Sequence, residues 1–100
     1  MGRVLRSSLA GRDLDRIFRD ISANNGDSVA VAQLNRIEAA LERLGSFPNL
    51  GRDRSDLLPG LRALSVKSWE VFYRVRDEDV LVSRVLDGRM NLAAQFGKKT

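Results

Sequence analysis

Arg62, Lys67, Arg74, Arg76, Arg84 and Arg89 recur through the second half of this 100-residue chain, and Arg52 and Arg54 precede them in a polar stretch. A guanidinium is a planar fork that donates two parallel hydrogen bonds, so arginines gathered on one surface suit phosphate oxygens or carboxylates. Converging, they could hold a nucleic-acid backbone and offset the charge that develops when a phosphodiester is attacked. They could equally grip an acidic patch on a protein. The bland alternative is a solvated surface in which each strand arginine pairs with a neighbouring acid, since the chain has 17 basic and 13 acidic residues and a pI near 10.3.

Cleavage needs groups that move protons as well as groups that hold charge. The chain has no histidine and no cysteine. That removes the imidazole base, thiolate chemistry, disulfides and the usual zinc ligands, and no metal or cofactor is implied. Lys67 is the only lysine before the tail; Tyr73, the only tyrosine, lies between Val71 and Val75, where a core role is expected. No residue is assigned a catalytic role. No apolar run approaches the roughly 20 residues that span a bilayer, and no apolar signal stretch follows the N-terminal arginines, so a cytoplasmic protein is expected.

The elements that must position these residues follow from periodicity. Val4 and Leu5 suit a short first strand, and Ser7 or Ser8 can cap a helix. Leu14, Ile17, Phe18 and Ile21 form one apolar stripe, with Arg12, Asp13, Asp15, Arg16, Arg19 and Asp20 around it, ending at Asn24-Asn25-Gly26. Asp27 or Ser28 can cap a second helix carrying Ala30, Leu34, Ile37, Leu41 and Leu44, which Gly45 and Pro48 should end. Core packing of a helical hairpin explains this spacing better than a coiled-coil dimer, because barely two heptads are present. Residues 47–59 read as a polar loop. Strands are expected over 61–66, 69–76 and 80–86, joined tightly through Lys67-Ser68 and Asp77-Glu78-Asp79 into an antiparallel meander. In the last two, Val71, Tyr73 and Val75 should share one face, and Val80, Val82, Arg84 and Leu86 another. The expected fold is a single α+β two-layer domain over 1–100, β-α-α-β-β-β, with the helical hairpin packed on an antiparallel sheet. Residues 89–96 are read as a short apolar helix or arm and 97–100 as a frayed tail.

Four fragments in order, Pro48-Asn49-Leu50-Gly51-Arg52, Gly60-Leu61-Arg62, Val71-Phe72-Tyr73-Arg74 and Arg84-Val85-Leu86-Asp87-Gly88-Arg89, resemble the ParE branch of the RelE/ParE toxin superfamily. The resemblance covers residues 14–89. It implies the toxin of a bacterial type II toxin-antitoxin system: a non-enzymatic inhibitor that traps DNA gyrase on cleaved DNA and is silenced by a cognate antitoxin in a hetero-oligomer, operator DNA being bound only through the antitoxin. The target contact it points to is Arg62, Arg74, Arg84 and Arg89 with the C-terminal segment. Antitoxins of this superfamily wrap a helix and strand around the toxin, which makes Trp69, Leu86, Leu92 and Phe96 the candidate antitoxin contacts, along a groove of the helical hairpin and sheet. RelE relatives instead cut messenger RNA on the ribosome, but their proton-moving residues are thin here: Gln95 and Phe96 stand where a tyrosine would be looked for. Asp87 replaces the histidine usual in ParE proteins, and Met90-Asn91 an arginine-aspartate pair, which leaves a non-toxic degenerate member as a third reading.

Overall fold

The structure, a computed structural model, describes residues 2–90 and 92–97; Asn91 and the tail beyond 97 lie outside them. Val4–Arg6 forms β1, and Ser7 then caps α1 (Ser8–Asn25) by accepting the Ala10 N–H at 3.0 Å. Ala10, Leu14 and Ile17 are buried, and Phe18 and Ile21 are half-buried along the same stripe. Gly26 ends α1 and begins α2 (Asp27–Ser46) in one residue, at φ 92° and ψ 162°, where only glycine is at ease. The expected side-chain cap from Asp27 or Ser28 is therefore absent. Asp27 is already helical, close to the positive end of the helix dipole, and accepts a bond from Ser22. The buried stripe of α2 is Ala30, Ile37, Ala40, Leu41 and Leu44. Gly45 does not end this helix; it is buried in the last turn, beside Val4 and the Gly2 carbonyl, and Phe47 is the cap.

β2 (Arg52–Asp53) is a short strand inside the expected loop. β3 (Arg62–Val66), β4 (Trp69–Arg76) and β5 (Asp79–Asp87) make the expected antiparallel meander, and α3 (Leu92–Gln95) is the short C-terminal helix. The sheet order is β1-β5-β4-β3-β2, with β1 parallel to β5. The sheet is thus mixed rather than wholly antiparallel, because the helical hairpin carries the chain across its face before the meander returns to β1. Both tight turns place a non-glycine first residue at positive φ, Lys67 at 56° and Asp77 at 57°.

Two cores sit on the two faces of the sheet. Val71, Tyr73, Val80, Val82 and Val85 pack under the helices with Leu14, Ile17, Ile37, Leu41 and Leu44. On the other face Ala63, Phe72 and Leu86 join Leu57 and Leu61 from the preceding loop, and Leu92, Ala93 and Phe96 lie against them. The alternation expected in β5 fails at one point. Phe72 pairs with Arg84 while Tyr73 pairs with Val82, so Ser83 is an extra residue in a β-bulge. The bulge puts Val80, Val82 and Val85 on the helix side and Leu86 on the other. The Ser83 carbonyl it frees accepts from the Ser7 hydroxyl at 2.8 Å, tying the cap of α1 to the sheet.

Candidate functional site

The four candidate target-contact arginines do not share one surface. Alternation along β4 places Arg74, with Arg76, on the Phe72 face away from the helices; both are exposed and have no hydrogen bond or ion pair among the described residues. Arg62 pairs with Tyr73 across β3 and β4 and so lies on the opposite face. Its Nε and Nη2 donate to the Gly51 carbonyl at 3.0 and 2.7 Å, and Nη2 also to the Asn49 carbonyl at 3.1 Å. Arg84 is turned inward: Nε and Nη2 reach the two oxygens of Asp13 at 2.8 and 2.9 Å, and only 16% of its side chain is exposed. The hydrogen bond to Asp13 raises its pKa above the ordinary value. Arg84 is a clamp between sheet and helix rather than an open contact, which corrects its expected role.

Arg89 lies beyond β5 with 84% of its side chain exposed. Its guanidinium and its own N–H hold the Asp87 carboxylate at 2.6 to 3.0 Å, and these bonds lower the Asp87 pKa to about 2. Of the loop arginines, Arg52 bonds Glu70 at 2.7 Å and Ser65 at 3.2 Å, and Arg54 forks onto Asp56. Of the arginines of β3 to β5 and the residues just beyond, Arg74, Arg76 and Arg89 are exposed, and Lys67 stands exposed at the β3–β4 turn.

Asp13 is the residue that sequence reasoning missed. Grouped with the polar surround of α1, it is buried, accepting the Val85 N–H at 2.9 Å and a bond from Arg16 at 3.1 Å besides the two from Arg84. The signal was present. Position 13 falls three residues after Ala10 and four before Ile17, so it belongs to the apolar stripe by spacing. An acid on that stripe needs a cation from elsewhere in the fold.

Tyr73 is in the core, as expected, and its hydroxyl is fully used: it donates to the Pro48 carbonyl and accepts from the Gly51 N–H, both at 2.8 Å. Leu86, one of the four candidate antitoxin contacts, is buried beneath the C-terminal segment and has no surface to offer, a second correction. Leu92 and Phe96 lie half-buried over it, with Phe96 edge-on to Phe72 at 4.9 Å between ring centres. Trp69 is half-buried and lines a hollow of about 410 Å³ at the far end of α1, with Ile21, Arg16, Asp20, Arg89 and Met90. A larger groove of about 580 Å³ runs along the outer side of the hairpin, floored by Leu14, Phe18, Val31 and Leu34 and edged by Arg12 and Glu38.

A mixed sheet with a helical hairpin on one face, an apolar hairpin groove and an arginine-bearing meander can be set beside known proteins. The family model of the ParE toxin of type II toxin-antitoxin systems, parDE, matches residues 4–92. The chain belongs to this family. Among curated ParE relatives it is 65% identical to Toxin ParE3 of Caulobacter vibrioides over 100 residues, covering all of both chains. It is 34% identical to Toxin ParE1 of Mycobacterium tuberculosis over 91 residues, which is 90% of this chain and 93% of that one. A solved structure titled "Chromosomal ParDE TA system from P. aeruginosa" superposes with a TM-score of 0.77 at 22% identity, covering 87% of this chain and 96% of the other, a likeness of fold. By its family it is a toxin of a type II toxin-antitoxin system. No helix among the described residues is long and apolar enough to cross a membrane.

Proposed function

We propose that this ParE toxin arrests growth by binding DNA gyrase and holding it on cleaved DNA in the cytoplasm, without catalysing a reaction of its own. The observation that carries this reading is the commitment of its chemistry-bearing groups. The only tyrosine has both hydrogen-bonding capacities of its hydroxyl occupied inside the core, and the chain has no histidine. Glu70 is held by Arg52 and by Ser65, the latter at 2.5 Å. Tyr73 and Glu70 thus serve structural partners inside the fold, whereas the exposed Arg74 and Arg76 keep their guanidiniums for a partner. Arg74 and Arg89 are the cationic target contacts on this reading, with Arg76 beside Arg74.

The hairpin groove suits the antitoxin. A helix laying an apolar face on Phe18, Val31 and Leu34 would cover carbon surface that a solitary domain leaves wet. Trp69, Leu92 and Phe96 are further candidate contacts at the ends of the sheet. Operator DNA would be reached only through the antitoxin.

The test is a supercoiling assay with purified gyrase. Loss of supercoiling together with accumulation of cleaved DNA is expected. Intact gyrase activity at saturating toxin, combined with ribosome-dependent cleavage of messenger RNA, would replace this reading by a RelE-like nuclease.

A further inference from the structure

Residues 47–51 are held from beneath while two of their side chains stand out in water. Every residue of the stretch enters the web through its main chain. Phe47 N–H donates to the Arg43 carbonyl at 2.8 Å, and Leu50 N–H to the Phe47 carbonyl at 3.1 Å. The Pro48 carbonyl and the Gly51 N–H are taken by the buried Tyr73 hydroxyl, and the Asn49 and Gly51 carbonyls by Arg62. Gly51 fits so closely that a Cβ there would meet the Tyr73 oxygen at 2.6 Å. Above this web Phe47 is 63% exposed, the most exposed large apolar side chain among the described residues, and Leu50 is 41% exposed.

A mobile loop would fold such side chains inward; a backbone fixed at every residue cannot, and the entropy of ordering it is already spent on folding. Ordered aromatic anchors of this kind carry a disproportionate share of binding energy at interfaces. Phe47 and Leu50 stand outside both grooves described above, and their exposure makes them a raised feature, a knob. A flexible antitoxin segment needs a groove to lie in, whereas a knob needs a hollow in a folded partner. The adjoining charges are cationic. Arg43, whose carbonyl accepts the Phe47 N–H, bonds no carboxylate among the described residues, while Arg62 beneath the loop is committed to the Asn49 and Gly51 carbonyls. Arg62 also lies near enough to Asp53 to add to the lowering of its pKa, which the Ser55 hydrogen bonds chiefly cause. Asp53, opposite Arg62 on β2, turns its carboxylate onto Ser55 at 2.5 and 2.8 Å, and Glu42 lies about 100° round the helix from Arg43.

We infer that Phe47 and Leu50 form a preset contact knob for the folded target protein, fitting an apolar hollow with carboxylates at its edge, and that Tyr73 and Arg62 are its positioning residues. The inference rests on the reading that the toxin acts by gripping a protein. It adds to the exposed arginines an apolar anchor just beyond the C-terminal end of α2.

Phe47→Ser/Leu50→Ser, Tyr73→Phe and, as a control, the exposed Val29→Ser are compared with the wild type in the gyrase supercoiling assay, with circular dichroism and melting temperature recorded for each. The double variant keeps the wild-type spectrum and melting temperature while the toxin concentration for half-inhibition rises about 30-fold, the effect of losing one hot-spot residue. Tyr73→Phe, which keeps the ring and frees the loop, shows a smaller rise in the same direction, and Val29→Ser none. Wild-type inhibition by the folded double variant overturns the inference and leaves the gyrase reading standing. If the wild type leaves gyrase untouched, that reading fails and growth arrest on induction in a bacterial host decides the knob separately. Arrest abolished by the double substitution upholds a folded target other than gyrase; arrest unchanged by it, or no arrest by the wild type, overturns the knob as well.

Discussion

Replacing Asp13 by alanine asks whether the Asp13–Arg84 pair is a clamp or an open contact. Asp13 has 2% of its side chain exposed and accepts bonds from Arg84, Arg16 and the Val85 N–H. Its removal orphans the Val85 N–H inside the core, a loss of about 1–3 kcal/mol. It also leaves the Arg84 guanidinium unpaired, and because 16% of that side chain still reaches water the added loss is about 2 kcal/mol, below the range for a fully buried pair. The total, about 4 kcal/mol, is a large part of a small domain's roughly 5–15 kcal/mol and lowers the melting temperature by more than about 15 °C. Asp13→Asn keeps an acceptor for the Val85 N–H and should lose about half as much. Asp13→Leu/Arg84→Met removes both charges together and should recover the roughly 2 kcal/mol that came from the unpaired guanidinium, keeping the about 1–3 kcal/mol of the Val85 N–H, which still lacks an acceptor. Urea unfolding of the purified variants measures each value. A loss under about 1 kcal/mol in Asp13→Ala, or additive losses in the double variant, would refute the clamp. The double variant also answers a functional question. If Arg84 only clamps, the refolded Asp13→Leu/Arg84→Met protein still inhibits the target, whereas Arg84→Ala alone would confuse a lost contact with a lost fold.

Arg74→Ala and Arg89→Ala should leave the melting temperature within a degree or two, because neither residue supports the core, while weakening gyrase inhibition several-fold; unchanged inhibition in both would take these arginines out of the contact. Gly51→Ala should misfold or lose more than about 2 kcal/mol in urea, since the new Cβ would meet the Tyr73 oxygen at 2.6 Å and the Ala63 carbonyl at 2.8 Å, and an alanine variant that melts like the wild type would show the loop to be slack. The Asp87 carboxyl titrates at about 2 in the fold against 3.8 ordinarily, and Asp53 and Asp79 are lowered as well. A depressed pKa stabilises the fold above the unfolded value and that gain is lost as pH falls through the folded value, so thermal melts should decline from about pH 4 toward pH 2. With no histidine, the melting temperature should be flat from about pH 5.5 to 7, and a step near pH 6.5 would contradict this.

The element order was legible because apolar periodicity is strong in both helices and in the meander, and because Asn24-Asn25-Gly26 and the two tight turns punctuate it. The parts not legible share a physical cause: they depend on partners distant in sequence. Two residues of β2 form a strand only because β3 passes beside them, and β1 runs parallel to β5 only because the hairpin crosses the sheet. Gly45 read as a helix stop because glycine commonly serves that way, yet here it lets β1 approach α2. The cover on the second face, from Leu57 and Leu61 through Leu92 to Phe96, joins segments some thirty residues apart that no local pattern connects.

The arginine set was the harder inference, and the bulge at Ser83 shows why. Strict alternation would have set Arg84 and Leu86 on the helix side with Val80 and Val82, and Val85 on the other. One extra residue instead brings Arg84 and the Val85 N–H together against a carboxylate seventy residues earlier in the chain. A bulge leaves no compositional mark, so the inward turn of Arg84 could be anticipated only from its partner, the acid standing on the apolar stripe of α1. Arg62 follows the same logic with carbonyls in place of a carboxylate: its fork closes on Asn49 and Gly51 and shapes a loop rather than meeting a ligand. A +4 chain therefore has fewer open cations on its sheet than its count suggests, and on the proposed reading Arg74, Arg76 and Arg89 are left to meet a target together with the apolar knob that Arg62 supports. Charge of this sparse kind steers an encounter, and the apolar anchor is what must hold it, so the toxin's association rate should fall steeply with added salt while its dissociation rate responds mainly to Phe47 and Leu50.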